Sequence, residues 1–342
     1  MKKIFCGLSV VVAVAVLATS FIRQRNAAPH SLTFMSMDTA MTLTAYGPAA
    51  TDALEAARTR IREVEDRLST TRPDGDIGRL NRAGGAQVSV SRDAAELTAF
   101  ALKLSAETDG ALDPTLYPIL CAWGFTTGNY RVPPQDELAD LLSVTGRDKM
   151  SLRGDSLQLR PGTMLDLGAL GKGYASDQAI GVLRDAGISS AIVNLGGNVQ
   201  TLGLRPDGTP WHVGIAAPEG GLLGALEIRE CAVITSGGYQ RFFTGPDGRT
   251  YWHILDPRTG APARSGVLSA TVVAESGALC DGLSTSFFVM GAEKAAQWYR
   301  EHGGIDFLLY TEDGELWLTE GLEKSFTPSS RYERTKIRVI RP

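Results

Sequence analysis

The stretch LDLGALGKGYA, from Leu165 to Ala175, sets how the rest of the chain is read. One carboxylate (Asp166), three glycines (Gly168, Gly171, Gly173) and one ammonium (Lys172) precede a helical pattern that begins at Tyr174 and ends before Gly187. Glycines let backbone N–H groups approach a ligand, a helix start presents free N–H groups to negative charge, and lysine adds a mobile cation. The combination points to a phosphate site. It is not a Walker A loop, because Gly173 stands where Ser or Thr must follow the lysine, and its glycine order is not that of the dinucleotide GxGxxG. Taken alone, the stretch also suits an ordinary strand-to-helix turn with a surface lysine.

Working outward, the chain has 342 residues, enough for one large domain or two of ordinary size. A formal charge of -4 and a pI near 5.7 exclude a broad nucleic-acid-binding face. Lys2 and Lys3 precede an uncharged run from Ile4 to Ile22, after which Arg23 and Arg25 begin the polar chain. Residues 1–25 therefore read as a signal peptide or an N-terminal membrane anchor. Either would put the remainder in the periplasm or on the periplasmic face of the inner membrane. Cys121, Cys231 and Cys280 have no CxxC spacing and read as small buried hydrophobes.

Upstream of the opening stretch, a strand is expected around Met41 to Thr44. Leu54, Ala57, Ile61, Val64 and Leu68 then recur at helical spacing, as do Leu97, Phe100, Ala101 and Leu104. Downstream, short strands dominate, among them a hairpin turning at Gly245-Pro246-Asp247-Gly248 and a β-branched strand from Val267 to Ala274. Two helices are expected over Leu279 to Val289 and Glu293 to His302. Strands and helices mix without strict βαβ alternation, which gives an α+β fold in a single domain over residues 31–325. Residues 326–342, with Arg331, Arg334, Lys336, Arg338 and Arg341, read as a basic C-terminal tail.

Of four histidines, His253 stands apart, because a strand closes there in the charged turn HILDPRTG. Packing beside Trp252 is its ordinary explanation; acid–base work is the other. Asp281, Ser284 and Thr285 share one face of the expected helix and form a hard oxygen set that suits Mg²⁺ better than zinc or copper. The same residues also serve as a helix-start carboxylate followed by small packing groups. NLGGN, from Asn194, and TSGGY, from Thr235, are glycine turns that bring backbone close to something.

In order along the chain, LSTTRPDGDIGRLN, TDGALDPT, DLGALGKGYASD, VNLGGNV, ITSGGYQRFF, HILDPRTGAP and ESGALCDGLSTS resemble the FAD:protein FMN transferases, the ApbE-like flavinyltransferases. The resemblance runs from about Met37 to Gly291. It implies an ApbE-like, T-fold-like α+β domain that binds FAD with Mg²⁺ and moves FMN onto a Thr or Ser hydroxyl of a partner protein, releasing AMP. That partner would be a membrane or periplasmic redox protein. Carried over by motif, the Ala169 carbonyl, Asp281 and Thr285 would hold the metal with Ser284 adjacent. Met41, Ala111, Leu112, Asp113, Asp166, Lys172 and Leu255 would line the FAD site, and His253 would sit at the reacting phosphate. His253, Asp281 and Lys172 are thus the expected catalytic groups. Thr71 stands where the family has an aromatic over the flavin, a departure for which Trp123 or Tyr239 would have to substitute. Two other classes fit the same residues: an FAD pyrophosphatase giving FMN and AMP, and an FAD-binding protein without turnover.

Overall fold

Nine strands form the central sheet of the protein, whose computed structural model describes residues 28–342; the expected export segment lies outside them. In spatial order the strands are Pro29–Ser36, Thr39–Tyr46, Ala191–Leu195, Asn198–Leu202, Ala232–Gly237, Val267–Ala274, Asp306–Thr311, Leu316–Thr319 and Ile337–Ile340. Every neighbouring pair is antiparallel except the last, which runs parallel. Alternation of side chains sends Ile234, Val272, Phe307 and Leu309 to one face and Val233, Val273 and Leu308 to the other. Both sets are buried, so the middle strands read as continuous apolar runs rather than as hydrophobic-polar alternation.

Helices cover the first face. The Ala50–Leu68 helix turns Ala53, Leu54, Ala57, Ile61, Val64 and Leu68 inward at the spacing read from the sequence. It packs on the Gly168–Asp185 helix, hereafter the glycine helix, which packs in turn on the Gly277–Met290 helix. That last helix, the carboxylate helix, is buried nearly all round and lies against Ala232–Gly237 and Val267–Ala274. A smaller sheet of Trp211–Ala216, Leu222–Ile228 and Phe326–Pro328 closes the opposite face around a second core. A third, aromatic cluster of Trp123, Phe125, Phe243 and Tyr251 sits where the Tyr117–Trp123 helix meets the short hairpin of Phe242–Thr244 and Thr250–Trp252.

Two expectations change. The helix read as starting at Tyr174 begins at Gly168, so Gly171 and Gly173 lie inside its opening turns. Helix propensity argues against glycine there; at Gly173 the neighbouring helix comes too close for a side chain, while at Gly171 a side chain would meet open space. The segment read as a basic tail is built into the fold: Phe326–Pro328 pairs with Leu222–Ile228, and Ile337–Ile340 adds to the edge of the central sheet. Among the described residues no helix is long and apolar enough to cross a membrane.

Candidate functional site

The glycine helix and the carboxylate helix touch at Gly173 and Gly277. A Cβ on Gly173 would overlap the Gly277 carbonyl, and one on Gly277 would overlap the Gly173 carbonyl. The close approach lets the Gly173 N–H donate to the Asp281 carboxylate at 2.8 Å. In a regular helix that N–H serves the carbonyl four residues back, which is Ala169. Ser284 Oγ donates to the Asp281 carbonyl at 3.0 Å, and Ser236 Oγ lies 2.9 Å from Ser284 Oγ and 3.2 Å from Thr285 Oγ1.

Asp281 is only 6 % exposed. Burial raises its pKa above the usual carboxylate range, opposed by the charge of Lys172, the Gly173 N–H and the nearby Asn198 amide. Asn198 is 4 % exposed, and its side-chain nitrogen has no hydrogen-bond partner of regular geometry. A phosphate oxygen would satisfy that donor. A hard cation would favour the ionised carboxylate among hydroxyls and a carbonyl, so the residues present fit Mg²⁺. Among the described residues no three His, Cys, Asp or Glu side chains cluster where they could hold a metal ion.

His253 follows the strand Thr250–Trp252 and is held by one carbonyl. The Arg241 carbonyl accepts from the His253 backbone N–H at 3.1 Å and lies 3.2 Å from Nδ1. A carbonyl only accepts, so Nδ1 carries the proton and Nε2 keeps its lone pair. Burial, then the positive charges of Arg241 and Lys172, bring this imidazole down to about 4; the Arg241 carbonyl bond works the other way. Its surroundings keep it neutral well below pH 6.5, where an ordinary imidazole would be charged. Asp166 forms a turn by accepting from the Gly168 N–H at 2.8 Å. Burial raises its pKa, and the Gly168 N–H and the Arg241 charge oppose the rise. Lys172 thus acts on both Asp281 and His253, and Arg241 on both His253 and Asp166.

Residues 37–309 match the family model described as the ApbE family. The chain belongs to the ApbE family. It is 35 % identical over 290 residues to the FAD:protein FMN transferase of Treponema pallidum, covering 79 % of this chain and 80 % of that one. The enzyme of the same name from Vibrio cholerae is 34 % identical over 277 residues, 78 % of this chain and 81 % of that one. Among solved structures, an ApbE protein from Thermotoga maritima superposes with a TM-score of 0.82 at 29 % identity, covering 87 % of this chain and 99 % of its own. The flavin transferase ApbE from Vibrio cholerae gives 0.79 at 28 % identity, with the same coverages.

Within this ApbE fold the other expected residues divide. The backbone of Asp166 donates to the Pro114 carbonyl at 2.7 Å, and Leu116 bridges to Met164, which seats the Ala111–Asp113 segment beside Asp166. Leu112 is buried in the main core, and the Asp113 carboxylate is occupied by Thr115, accepting its N–H at 2.8 Å and its hydroxyl at 2.6 Å. Met41 is fully buried in the sheet opposite Leu195, and Leu255 is buried in the aromatic cluster. Thr71 is exposed and turns back on Ser69 at 3.0 Å, while its neighbour Thr70 lies beside Tyr117, a phenol close enough to Asp166 to feel its charge.

Trp123 does not offer a ring face in place of the aromatic absent at Thr71. It is 2 % exposed, donates from Nε1 to the Gly260 carbonyl at 2.7 Å and packs on Tyr251. Tyr239 lies with its ring against Gly237 and its hydroxyl buried. The aromatic cluster presents Tyr130 instead, 42 % exposed and stacked on Phe243 at 5.0 Å. Arg241, Ser236 and Asn198 were given no role by sequence. The strings ITSGGYQRFF and VNLGGNV contain them, but nothing local says that the charge of Arg241 would reach Asp166 or that the Asn198 amide would lie near Asp281.

Proposed function

We propose that this chain is a Mg²⁺-dependent FAD:protein FMN transferase that links FMN through a phosphoester to a threonine or serine hydroxyl of a partner protein and releases AMP. The observation that carries it is the crossing of the two helices, where Asp281 takes the Gly173 N–H at 2.8 Å and shares the field of Lys172 with His253. The family membership and the names of its relatives agree. The reaction forms one bond, from the acceptor oxygen to the FMN phosphorus, and breaks one, from that phosphorus to the oxygen that leaves with AMP.

Each residue has a task in that exchange. Nε2 of His253, with its lone pair free, accepts the acceptor's hydroxyl proton, a contribution of about 10² to 10⁴-fold. Binding of a doubly anionic pyrophosphate beside His253 raises its proton affinity at the moment it acts as base. Lys172 and the Asn198 amide hold pyrophosphate oxygens, and Arg241 adds positive charge toward the same place. Asp281, Thr285 and the Ala169 carbonyl would hold Mg²⁺, which when bound neutralises charge on the phosphates and the departing AMP. Exposed Tyr130 is the aromatic available beside the flavin. Lys2, Lys3 and the uncharged run after them support an exported enzyme, working on a periplasmic or membrane-bound acceptor.

AMP release separates the readings. The protein with FAD and MgCl₂ should release AMP slowly, and adding an acceptor domain that bears a threonine should raise AMP in step with labelled acceptor. AMP released at one rate with or without acceptor identifies an FAD pyrophosphatase, and FAD bound without any AMP identifies a carrier.

A further inference from the structure

Asp177 lies one turn beyond Gly173 on the glycine helix, and no step above uses it. Its carboxylate is fully engaged. Oδ1 accepts from the Gly277 N–H at 2.6 Å and from Gln200 Nε2 at 2.8 Å; Oδ2 accepts from the Ala278 N–H and from Ser276 Oγ, both at 3.0 Å. Gly277 and Ala278 open the carboxylate helix, and their N–H groups are among those that a helix cannot satisfy internally. As a cap, Ser276 Oγ accepts from one helix N–H, that of Leu279, at 3.3 Å. Gln200 is buried in the central sheet, donates also to the Glu275 carbonyl at 3.1 Å and accepts from Ser176 Oγ at 2.5 Å. One carboxylate thus joins a sheet strand, the glycine helix and the start of the carboxylate helix, next to the contact of Gly173 with Gly277.

We propose that Asp177 is a positioning residue that fixes how the two helices cross, and through that the separation of Ala169 on one from Asp281 and Thr285 on the other. The inference rests on the reading above that these oxygens hold Mg²⁺. A small cation demands near-octahedral oxygens at about 2.0–2.1 Å, so a slide of a few tenths of an ångström at the crossing costs affinity. Partners that orient ligands typically carry about 10–100-fold in metal affinity.

The test is calorimetric titration of MgCl₂ into the full chain preloaded with FAD, for the unaltered protein, Asp177→Asn and Ser276→Ala. Asp177→Asn keeps the volume but turns an NH₂ group toward N–H donors; Ser276→Ala removes the helix's own cap and one hydroxyl bond to Asp177, and leaves both backbone N–H bonds to it. Asp177→Asn should weaken Mg²⁺ binding about 10–100-fold, with FAD affinity in EDTA unchanged. Ser276→Ala should stay close to the unaltered protein. Mg²⁺ binding at full strength in Asp177→Asn overturns the positioning role and leaves the cation site standing. An unaltered protein that takes up no Mg²⁺ overturns the cation reading and this inference with it. Should Asp177→Asn fail to fold, Asp177→Glu decides: it keeps the charge and moves it by one methylene, so weak Mg²⁺ binding supports positioning and full affinity contradicts it.

Discussion

His253 enters the site neutral because burial and two cations oppose its protonation, which lowers it from an ordinary 6.5 to about 4. Between those values the unfolded chain binds a proton that the folded chain refuses. Its contribution therefore makes stability fall as pH drops from 6.5 to about 4, and makes no difference above 6.5. The acid limb of kcat/KM for FAD, which reports the free enzyme, should lie near pH 4 rather than near 6.5. His253→Ala should lower FMN transfer by about 10² to 10⁴-fold and leave FAD affinity in place, measured by flavin fluorescence. An acid limb unchanged in position in the alanine variant would assign it to another group. The histidine itself was legible in sequence because it stands in a charged turn. Its lowered pKa was not, since Arg241 and Lys172 approach it only through the fold.

At the scale of elements, the opening stretch that reads as a loop is the first turns of a helix that crosses another. The spacing of Gly168, Gly171 and Gly173 reads locally as a flexible turn, because glycine is a poor helix former. Only the neighbouring Gly277 backbone shows that Gly173 is there for contact. Gly173→Ala supplies a better helix former yet places a methyl group on the Gly277 carbonyl and against Asp281 Cβ. It should cost about 1–3 kcal/mol of stability, read from urea unfolding, and should impair FMN transfer as well. A more stable Gly173→Ala protein would mean that the helices are free to separate. The amphipathic Ala50–Leu68 helix, by contrast, was plain from its spacing, since one buried face is enough to write that period.

Across the whole molecule, the helical layer is joined a second time, at Asp93. Asp93, buried at the start of the Arg92–Glu107 helix, accepts from Arg60 at 2.5 and 2.9 Å, from the Tyr174 hydroxyl at 2.8 Å and from Arg67. Burial would raise this carboxyl, but the bonds from Arg60, Tyr174 and Arg67 hold it down to about 2. The stability it brings is present above its ordinary 3.8 and is lost as pH falls through about 2. Asp93→Asn should destabilise the protein by about 1–3 kcal/mol at neutral pH in thermal unfolding, with FAD affinity unchanged. Sequence showed the α+β class in one domain, because helical and strand periods mix without strict alternation and without a long linker. It missed the C-terminal strand, whose basic residues suited a tail; Ile337–Ile340 is an edge strand with charge facing water. The central claim, that distant segments converge to grip FAD and hand FMN to a protein hydroxyl, is tested most directly by intact mass of an acceptor domain after incubation with this protein, FAD and MgCl₂. A gain of one FMN less water, abolished by EDTA and by Asp281→Ala, is the expected result, and an acceptor of unchanged mass alongside complete conversion of FAD would contradict it.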